Sequence, residues 1–344
     1  SSAASDVYKR QIYTSFPIKK SNLEGLIGSE IIIWTTTPWT LPANVAVCVG
    51  PKIEYSLVKS KKQFLIVASE LVESCSERWN LDLEVISTAT GDRFKNITLN
   101  HPYLERDSLL IHGNHVTTES GTGCVHTAPA HGIDDHLICK KYNILFIADE
   151  VITGFGRTGE WFASQKMNLS PDMMTLAKGL TSGYIPMSAV MVGEKVASTF
   201  IEEGGEFYHG FTYSGHPVAA AVALENLNII ERENLITKVA SDTIPYFASK
   251  IKALNDHPLV GEARSFGLLA CVELVKDKSG PELFSNVGET GMICRDFCIQ
   301  NGLMMRAVRD GMIMSPALTI TKNEIDEIIN KFEIALEQTM KKIN

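Results

Sequence analysis

The chain has 344 residues, of which 44% are hydrophobic and 21% charged, with a mean hydropathy of +0.03 and a formal net charge of −8. That length provides for about two domains with apolar material for two cores, and no apolar run approaches the ~18 residues of a membrane span. Residues 1–143 carry 14 Lys+Arg against 15 Asp+Glu, and residues 144–344 carry 18 against 25, so neither half has the basic footprint of a protein that grips nucleic acid mainly through phosphates.

The first eleven residues, SSAASDVYKRQ, lack the basic and apolar regions of a secretion signal and read as a disordered, non-native-looking tail. From there to residue 143 the sequence reads as β structure. Short β-rich runs recur at 30–37, 44–49, 54–59, 63–68, 83–88 and 108–112 with Pro, Gly and Asn between them, and one helix is predicted from Glu70 to Trp79. Many short strands with little helix point to a barrel.

The period then changes. ILFIADEV (144–151) is a continuous apolar run ending in acids, the pattern of a buried parallel strand whose C-terminal end faces a site. SAVMV (188–192) reads as a second such strand. A helix is predicted from about Pro217 to Arg232, with the proline suited to the first turn. LLACVELV (268–275), LMMRAV (303–308) and MIMSP (312–316) read as further strands. The last helix starts at a capping box, Thr321 with Glu324, and carries Ile325, Ile328, Ile329, Phe332, Leu336 and Met340 at core spacing. The two halves meet at CKKYNI (139–144) without the Gly/Ser/Pro-rich spacer that usually separates domains. Seven scattered cysteines without C-x-x-C argue against a disulfide framework or zinc ribbon and fit a reducing cytoplasm. Cys294 and Cys298, four apart on a helix, read as packed thiols rather than a metal pair.

Three features converge in the second half. Asp149 ends a strand and is followed by EVITGFGRTG (150–159), whose glycines allow tight turns close to a ligand. LAKGL (176–180) places Lys178 in an apolar setting. HGFTYSGHP (209–217) puts Thr212 and Ser214 just before a helix N-terminus, where backbone N–H groups favour a phosphate. Singly, a lysine beside a glycine is ordinarily a surface residue and an acid after a strand is ordinarily a helix cap. The ordered combination, from Leu145 to the C-terminus, resembles the class III, fold-type I pyridoxal-phosphate aminotransferases. ICRDF, MRAVRDG and SPALTIT bring it near the polyamine– and ω-amino acid–pyruvate transaminases.

The resemblance implies pyridoxal 5'-phosphate as cofactor, small amines and keto acids as substrates, and a homodimer. It implies that Lys178 joins the cofactor covalently and moves the proton between the two carbon centres. Asp149 pairs with the pyridinium nitrogen, Val151 packs on one ring face, and Thr212 reaches the cofactor phosphate of a partner subunit. Arg306 takes the acceptor's carboxylate in its guanidinium fork, with a solvated surface arginine as the alternative. In this family a Gly-Ser phosphate cup and a ring-stacking aromatic precede the ADEV strand, and residues 1–143 contain nothing like them. The fold-type I domain reads as incomplete, and its first strand as short of sheet neighbours.

In the first half, WTTTPWTLPAN (34–44) carries three threonines out of a strand, fixes the loop with two prolines and Trp39, and opens the next strand at Asn44. GTGCVHTAPAHGIDDH (121–136) gathers His126, His131 and His136 with Asp134 and Asp135, but without H-x-x-x-H or H-E-x-x-H spacing, so no metal is assigned. Together the two strings, over about Ile12–Tyr142, resemble the editing domain of isoleucyl-tRNA synthetase. Such domains hydrolyse the smaller valine from its tRNA, because one pocket rejects a missing methylene by only ~10–200-fold. The resemblance implies that Asp135 holds the free ammonium and His126 closes the pocket on isoleucine. Thr35, Thr36, Thr37 and Asn44 orient the ester, the terminal ribose and the attacking water, with a tRNA 3' end as partner. No synthetase nucleotide-binding motif accompanies it.

The predicted fold class is α/β plus β: a tail over 1–11, an editing-type β-barrel over 12–143, a partial pyridoxal-phosphate-binding large domain over 144–240 and a small α+β domain over 241–344. Two alternatives stay open. One is a join of two unrelated coding sequences in which neither site works; the other is a tRNA-binding fusion that uses the second half for dimerisation.

Overall fold

The computed structural model describes residues 11–129, 132–210, 212–278 and 283–343, with Ile133 described by its backbone alone. The chain divides between Phe146 and Ile147 into two compact units.

The first unit is built on nine strands: β1 Ile12–Lys20, β2 Glu30–Thr35, β3 Ala46–Val49, β4 Glu54–Ser60, β5 Gln63–Ala68, β6 Glu84–Thr90, β7 Thr98–Asn100, β8 Asp107–His112 and β9 Cys124–Thr127. They form one sheet in the order β6-β4-β5-β2-β1-β7-β8-β3-β9. The long strand β1 serves two neighbours. Ile12–Pro17 pairs with β2, and Ile18 and Lys20 pair with Leu99 and Thr98 of β7 across a register shift between the two. Such an irregularity bends a strand. The sheet folds over a core in which Phe16, Ile31, Ile33, Val58, Val67 and Leu99 are fully buried. Helix α1 (Val72–Trp79) matches the predicted one, and α2 (Ile133–Lys141) adds Ile138 and Cys139 to a satellite core with Cys48, Ile111 and Val116.

The predicted barrel takes a different form. No hydrogen-bonded ladder joins the outer strands β6 and β9 among the described residues. The outer strand β6 is mostly exposed, while the approach to β9 returns to β5 through Ala68 N donating to the Thr122 carbonyl at 2.8 Å. Strands β1, β7 and β9 and helix α2 were not among the predicted elements. The tail predicted over residues 1–11 lies outside the described residues up to position 10.

The second unit opens on a three-stranded sheet of β10 Ile147–Asp149, β11 Met173–Leu176 and β12 Ala189–Val192. β10 and β11 are parallel, and β12 is antiparallel to β11. The predicted buried strand over 144–151 is therefore only three residues long, with Ile147 and Asp149 exposed. Apolar runs in parallel sheets are buried by elements on both faces. Among the described residues no strand adds to the outer edge of β10 or β12, and Val190, Met191 and Val192 are likewise exposed.

Helices α3 (Ala163–Lys166), α4 (Glu194–Glu202) and α5 (Pro217–Arg232) belong to this part. Beyond them α6 (Leu235–Lys238) and α7 (Ile244–Ala253) lead to a sheet of β13 Val260–Phe266, β14 Leu269–Leu274, β15 Arg306–Val308 and β16 Gly311–Met314, ordered β13-β14-β16-β15. Helices α8 (Glu289–Gln300) and α9 (Lys322–Ile343) complete it. The predicted stripe on α9 is core: Ile325, Phe332 and Leu336 are fully buried against Val272, Met312 and Cys298. Its capping box forms, with Glu324 Oε2 accepting from Thr321 N at 2.8 Å and Thr321 Oγ1 accepting from Glu324 N at 3.3 Å. Among the described residues no helix is long and apolar enough to cross a membrane.

Candidate functional site

Strand pairing brings Asp149 and Lys178 to one edge of a parallel strand pair. Asp149, the last residue of β10, stands opposite Thr175 of β11, and Lys178 follows three residues on. Three residues of chain span at most about 11 Å, so Lys178 leaves the strand pair close to the end at which Asp149 stands. Asp149 Oδ1 accepts from Val151 N at 3.1 Å and from Thr175 Oγ1 at 3.0 Å. Its Oδ2 has no partner among the described residues and remains open to a donor. That carboxylate fits a protonated ring nitrogen.

Lys178 is exposed and sits at φ +43°, in the left-handed region that costs a non-glycine residue on the order of 1 kcal/mol or more. Its turn is pinned from α5. The Asn226 amide donates to the carbonyls of Gly179 at 2.8 Å and Leu180 at 3.1 Å, while Asn226 Oδ1 accepts from Ser182 Oγ at 2.6 Å. Beneath the turn, Leu176, Leu180, Phe155, Ala223 and Ile230 share a small core, which ties the lysine strand, the loop after Asp149 and α5 together. Burying side chains of this size contributes roughly 2 kcal/mol each.

The loop after Asp149 is anchored by Glu150, a carboxylate only 2% exposed. It accepts from Ala163 N at 2.9 Å, from Ser164 N at 2.6 Å and from the Thr153 hydroxyl. Gly156 and Gly159 take φ of +90° and +88°, so the predicted tight turns need their glycines. Arg157 donates to the Pro316 carbonyl, and its own carbonyl accepts from Leu268 N at 2.9 Å, which docks the loop on the small sheet.

Among the described residues no hydrogen bond or ion pair joins Thr212 or Arg306 to this group. Thr212 lies exposed in the turn before α5 and makes no hydrogen bond with Asp149 or Lys178. The helix is capped by His216, whose Nδ1 accepts from Ala219 N at 3.4 Å. Arg306 is exposed at the start of the outer strand β15, opposite Ile313, with no ion pair among the described residues.

In the first unit the two strings of polar residues meet. Thr40 Oγ1 lies 2.8 Å from His126 Nε2, and Asn44 Nδ2 lies 2.8 Å from His126 Nδ1. Asn44 also donates to the Ala46 carbonyl at 2.7 Å and accepts from Ser108 Oγ at 2.7 Å. Thr37 Oγ1 lies 3.2 Å from Thr35 Oγ1 and 3.4 Å from Thr40 Oγ1, and Thr36 is half-buried beside them. Asp135, in the first turn of α2, holds its proton up to about 6 because burial disfavours its charged form; Asp134 adds to this and the Ala128 N–H opposes it. His131 lies outside the described residues, and among the described residues no cluster of His, Cys, Asp or Glu could hold a metal. Burial pushes the Cys48 and Cys139 thiols up to about 12, so neither is a nucleophile near neutrality.

Four residues whose hydrogen bonds support the candidate sites escaped the sequence reading: Thr40, Thr175, Asn226 and Glu150. Thr40 lay inside the threonine string and Thr175 three residues before the lysine. Asn226 and Glu150 carry no local signal, since most of their partners are backbone N–H and C=O groups 13 to 47 positions away.

Solved structures define the class. A transaminase with L-Ala superposes with a TM-score of 0.60 at 39% identity, covering 64% of this chain and 52% of that one. A thermostable (S)-enantioselective ω-transaminase from Thermomicrobium roseum gives 0.58 at 41%, covering 62% and 47%. The fold is thus that of the fold-type I pyridoxal-phosphate transferases. The profile of the family described as Aminotransferase class-III matches residues 116–336, and the chain belongs to that family. The match begins earlier than the predicted start at Leu145 and takes in β9 and α2.

The putrescine–pyruvate aminotransferase of Pseudomonas aeruginosa is 57% identical over 202 residues, which cover 59% of this chain and 44% of that protein. The mitochondrial gamma aminobutyrate transaminase 1 of Solanum lycopersicum is 41% identical over 227 residues, covering 65% and 44%. The vanillin aminotransferase of Capsicum annuum is 42% identical over 209 residues, covering 60% and 45%. The chain spans less than half the length of these curated relatives.

Proposed function

We propose that the second unit is the cofactor-anchoring part of a pyridoxal-phosphate-dependent aminotransferase that moves an amino group between a small amine or ω-amino acid and pyruvate. The observation that carries this is the β10–β11 register, which sets an oriented carboxylate at Asp149 beside the strand that delivers Lys178. When bound, pyridoxal phosphate supplies an electron-withdrawing ring that takes up the electron pair of a substrate C–H bond. The chain's own groups do the rest. Asp149 would accept from the ring N–H through Oδ2 and keep it protonated. Val151 would pack on one ring face. Lys178 would hold the cofactor through its Nζ and would then serve there as the proton carrier. Arg306 takes the acceptor's carboxylate, and Thr212 reaches the phosphate across a homodimer. The named activities of the putrescine–pyruvate and gamma aminobutyrate relatives support the substrate class.

Purified protein mixed with pyridoxal phosphate is expected to retain the cofactor after borohydride reduction, with the label on Lys178. Loss of the label in Lys178→Ala supports the assignment, and a wild-type protein that never takes the label overturns it.

The Thr40–His126–Asn44 network favours a second reading for the first unit, editing of misacylated tRNA, with His126 at the side-chain end of the pocket and Asp135 on the ammonium. Here catalysis is positioning of water by Thr35, Thr36, Thr37 and Asn44. Deacylation of Val-tRNA(Ile) by wild type but not by Asp135→Ala supports it, and equal slowness of both overturns it. Failure of both assays favours the alternative in which neither site works. Seven free thiols, six of them buried, support a reducing compartment such as the cytoplasm.

A further inference from the structure

We infer that Thr175 is a positioning residue that selects which oxygen of Asp149 meets the cofactor ring. This rests on the aminotransferase reading of Asp149 and adds a residue to it. Thr175 stands directly opposite Asp149 in the parallel ladder, and its Oγ1 donates to Asp149 Oδ1 at 3.0 Å. The same oxygen accepts from Val151 N at 3.1 Å. Two donors on Oδ1 fix the carboxylate's rotation and leave Oδ2 without a hydrogen-bond partner among the described residues.

Thr175 is suited to the task on two counts. A β-branched side chain has a stiff χ1, so the backbone of β11 fixes its hydroxyl. Its carbonyl also accepts from Glu150 N at 3.0 Å, so the residues on both sides of the Asp149 carbonyl are tied to β11. The strand ends at Leu176, two residues before Lys178, so β11 carries Thr175 and leads directly into the lysine turn.

The test uses the whole chain and three measurements. In the cofactor-free protein, Thr175→Val is expected to speed exchange of the Val151 amide relative to the β11 amides, with Thr175→Ser restoring the slow rate. In the presence of pyridoxal phosphate, Thr175→Val is expected to raise the cofactor's dissociation constant about tenfold, and Thr175→Ser to recover most of that loss. In the wild type, scalar couplings are expected to show Thr175 χ1 in a single rotamer, which needs no variant to fold. Unchanged Val151 exchange, unchanged cofactor affinity, or rotamer averaging overturns the inference. A wild type that binds no cofactor yet shows the exchange effect and the single rotamer refutes the aminotransferase reading alone.

Discussion

Thr40 Oγ1 and His126 Nε2 lie 2.8 Å apart across 86 positions of sequence. The surrounding bonds fix where the protons are. Thr40 donates its hydroxyl proton to the Thr37 carbonyl at 2.8 Å, so it accepts from Nε2–H. Asn44 gives one amide proton to Ala46 O and the other to His126 Nδ1. Both ring nitrogens are thus satisfied in the neutral Nε2–H form. Asn44→Ala strands the Ser108 hydroxyl, the Ala46 carbonyl and Nδ1 together, and is expected to cost on the order of 3 kcal/mol. Thr40→Ser keeps the bonds and is expected to cost far less. Urea unfolding followed by the fluorescence of Trp34, Trp39 and Trp79 checks both; equal losses would show that the network does not hold the loop.

Asp135 carries a pH dependence whose sign follows from its burial. Its carboxyl titrates at about 6 when folded, against an ordinary value of 3.8. The folded state binds the proton more tightly, so this group's contribution to stability is complete below the unfolded value and is lost as pH rises through 6. Between pH 4 and 6.5 the melting temperature of wild type is expected to fall relative to that of Asp135→Asn. A constant difference between the two proteins across that range would contradict the assignment. Capture of an ammonium needs the ionised form, so any deacylation is expected to rise through the same interval.

Local patterns were legible in the sequence, and long-range partners were not. The α9 stripe and its Thr321–Glu324 box could be read because both ends of every contact lie within one helix. Asp149 and Lys178 could be picked out as candidates because their residue types stand in the order that the family resemblance carries. Strand β1 was missed because Pro17 interrupts the run that continues to Lys20, and β9 because four residues are too few for a period. The exposure of β10 was missed because burial of a strand is decided by its neighbours and not by its own apolar content. Thr175 looks like any β-former until the register puts Asp149 beside it.

Asn226 is expected to matter for the lysine turn more than its half-exposed place on α5 suggests. Removing its amide frees the carbonyls of Gly179 and Leu180, which hold Lys178 at a positive φ. Asn226→Ala is expected to destabilise the unit by about 2 kcal/mol and to slow cofactor attachment to Lys178. Asn226→Asp keeps the bond from Ser182 but loses both donors, and is expected to behave like the alanine variant. Denaturant midpoints with attachment rates test this, and a normal rate in either variant would remove Asn226 from the site's support.

Glu150 offers the sharpest separation between shape and charge. Its two oxygens accept from Ala163 N and Ser164 N at the start of α3, one N–H to each oxygen, so a carboxylate is required and not merely a side chain of that length. Glu150→Gln preserves the volume yet turns an amide N–H₂ toward one of those donors. A buried N–H is then left without an acceptor beside a repelling group, at a cost of about 3 kcal/mol. Because Glu150 adjoins Asp149, loosening the loop is also expected to weaken pyridoxal phosphate binding in proportion to the lost stability. Thermal melts and cofactor titrations on Glu150→Gln and Glu150→Ala decide the matter. If glutamine restores wild-type stability where alanine does not, side-chain packing alone anchors the loop and the paired-acceptor account fails.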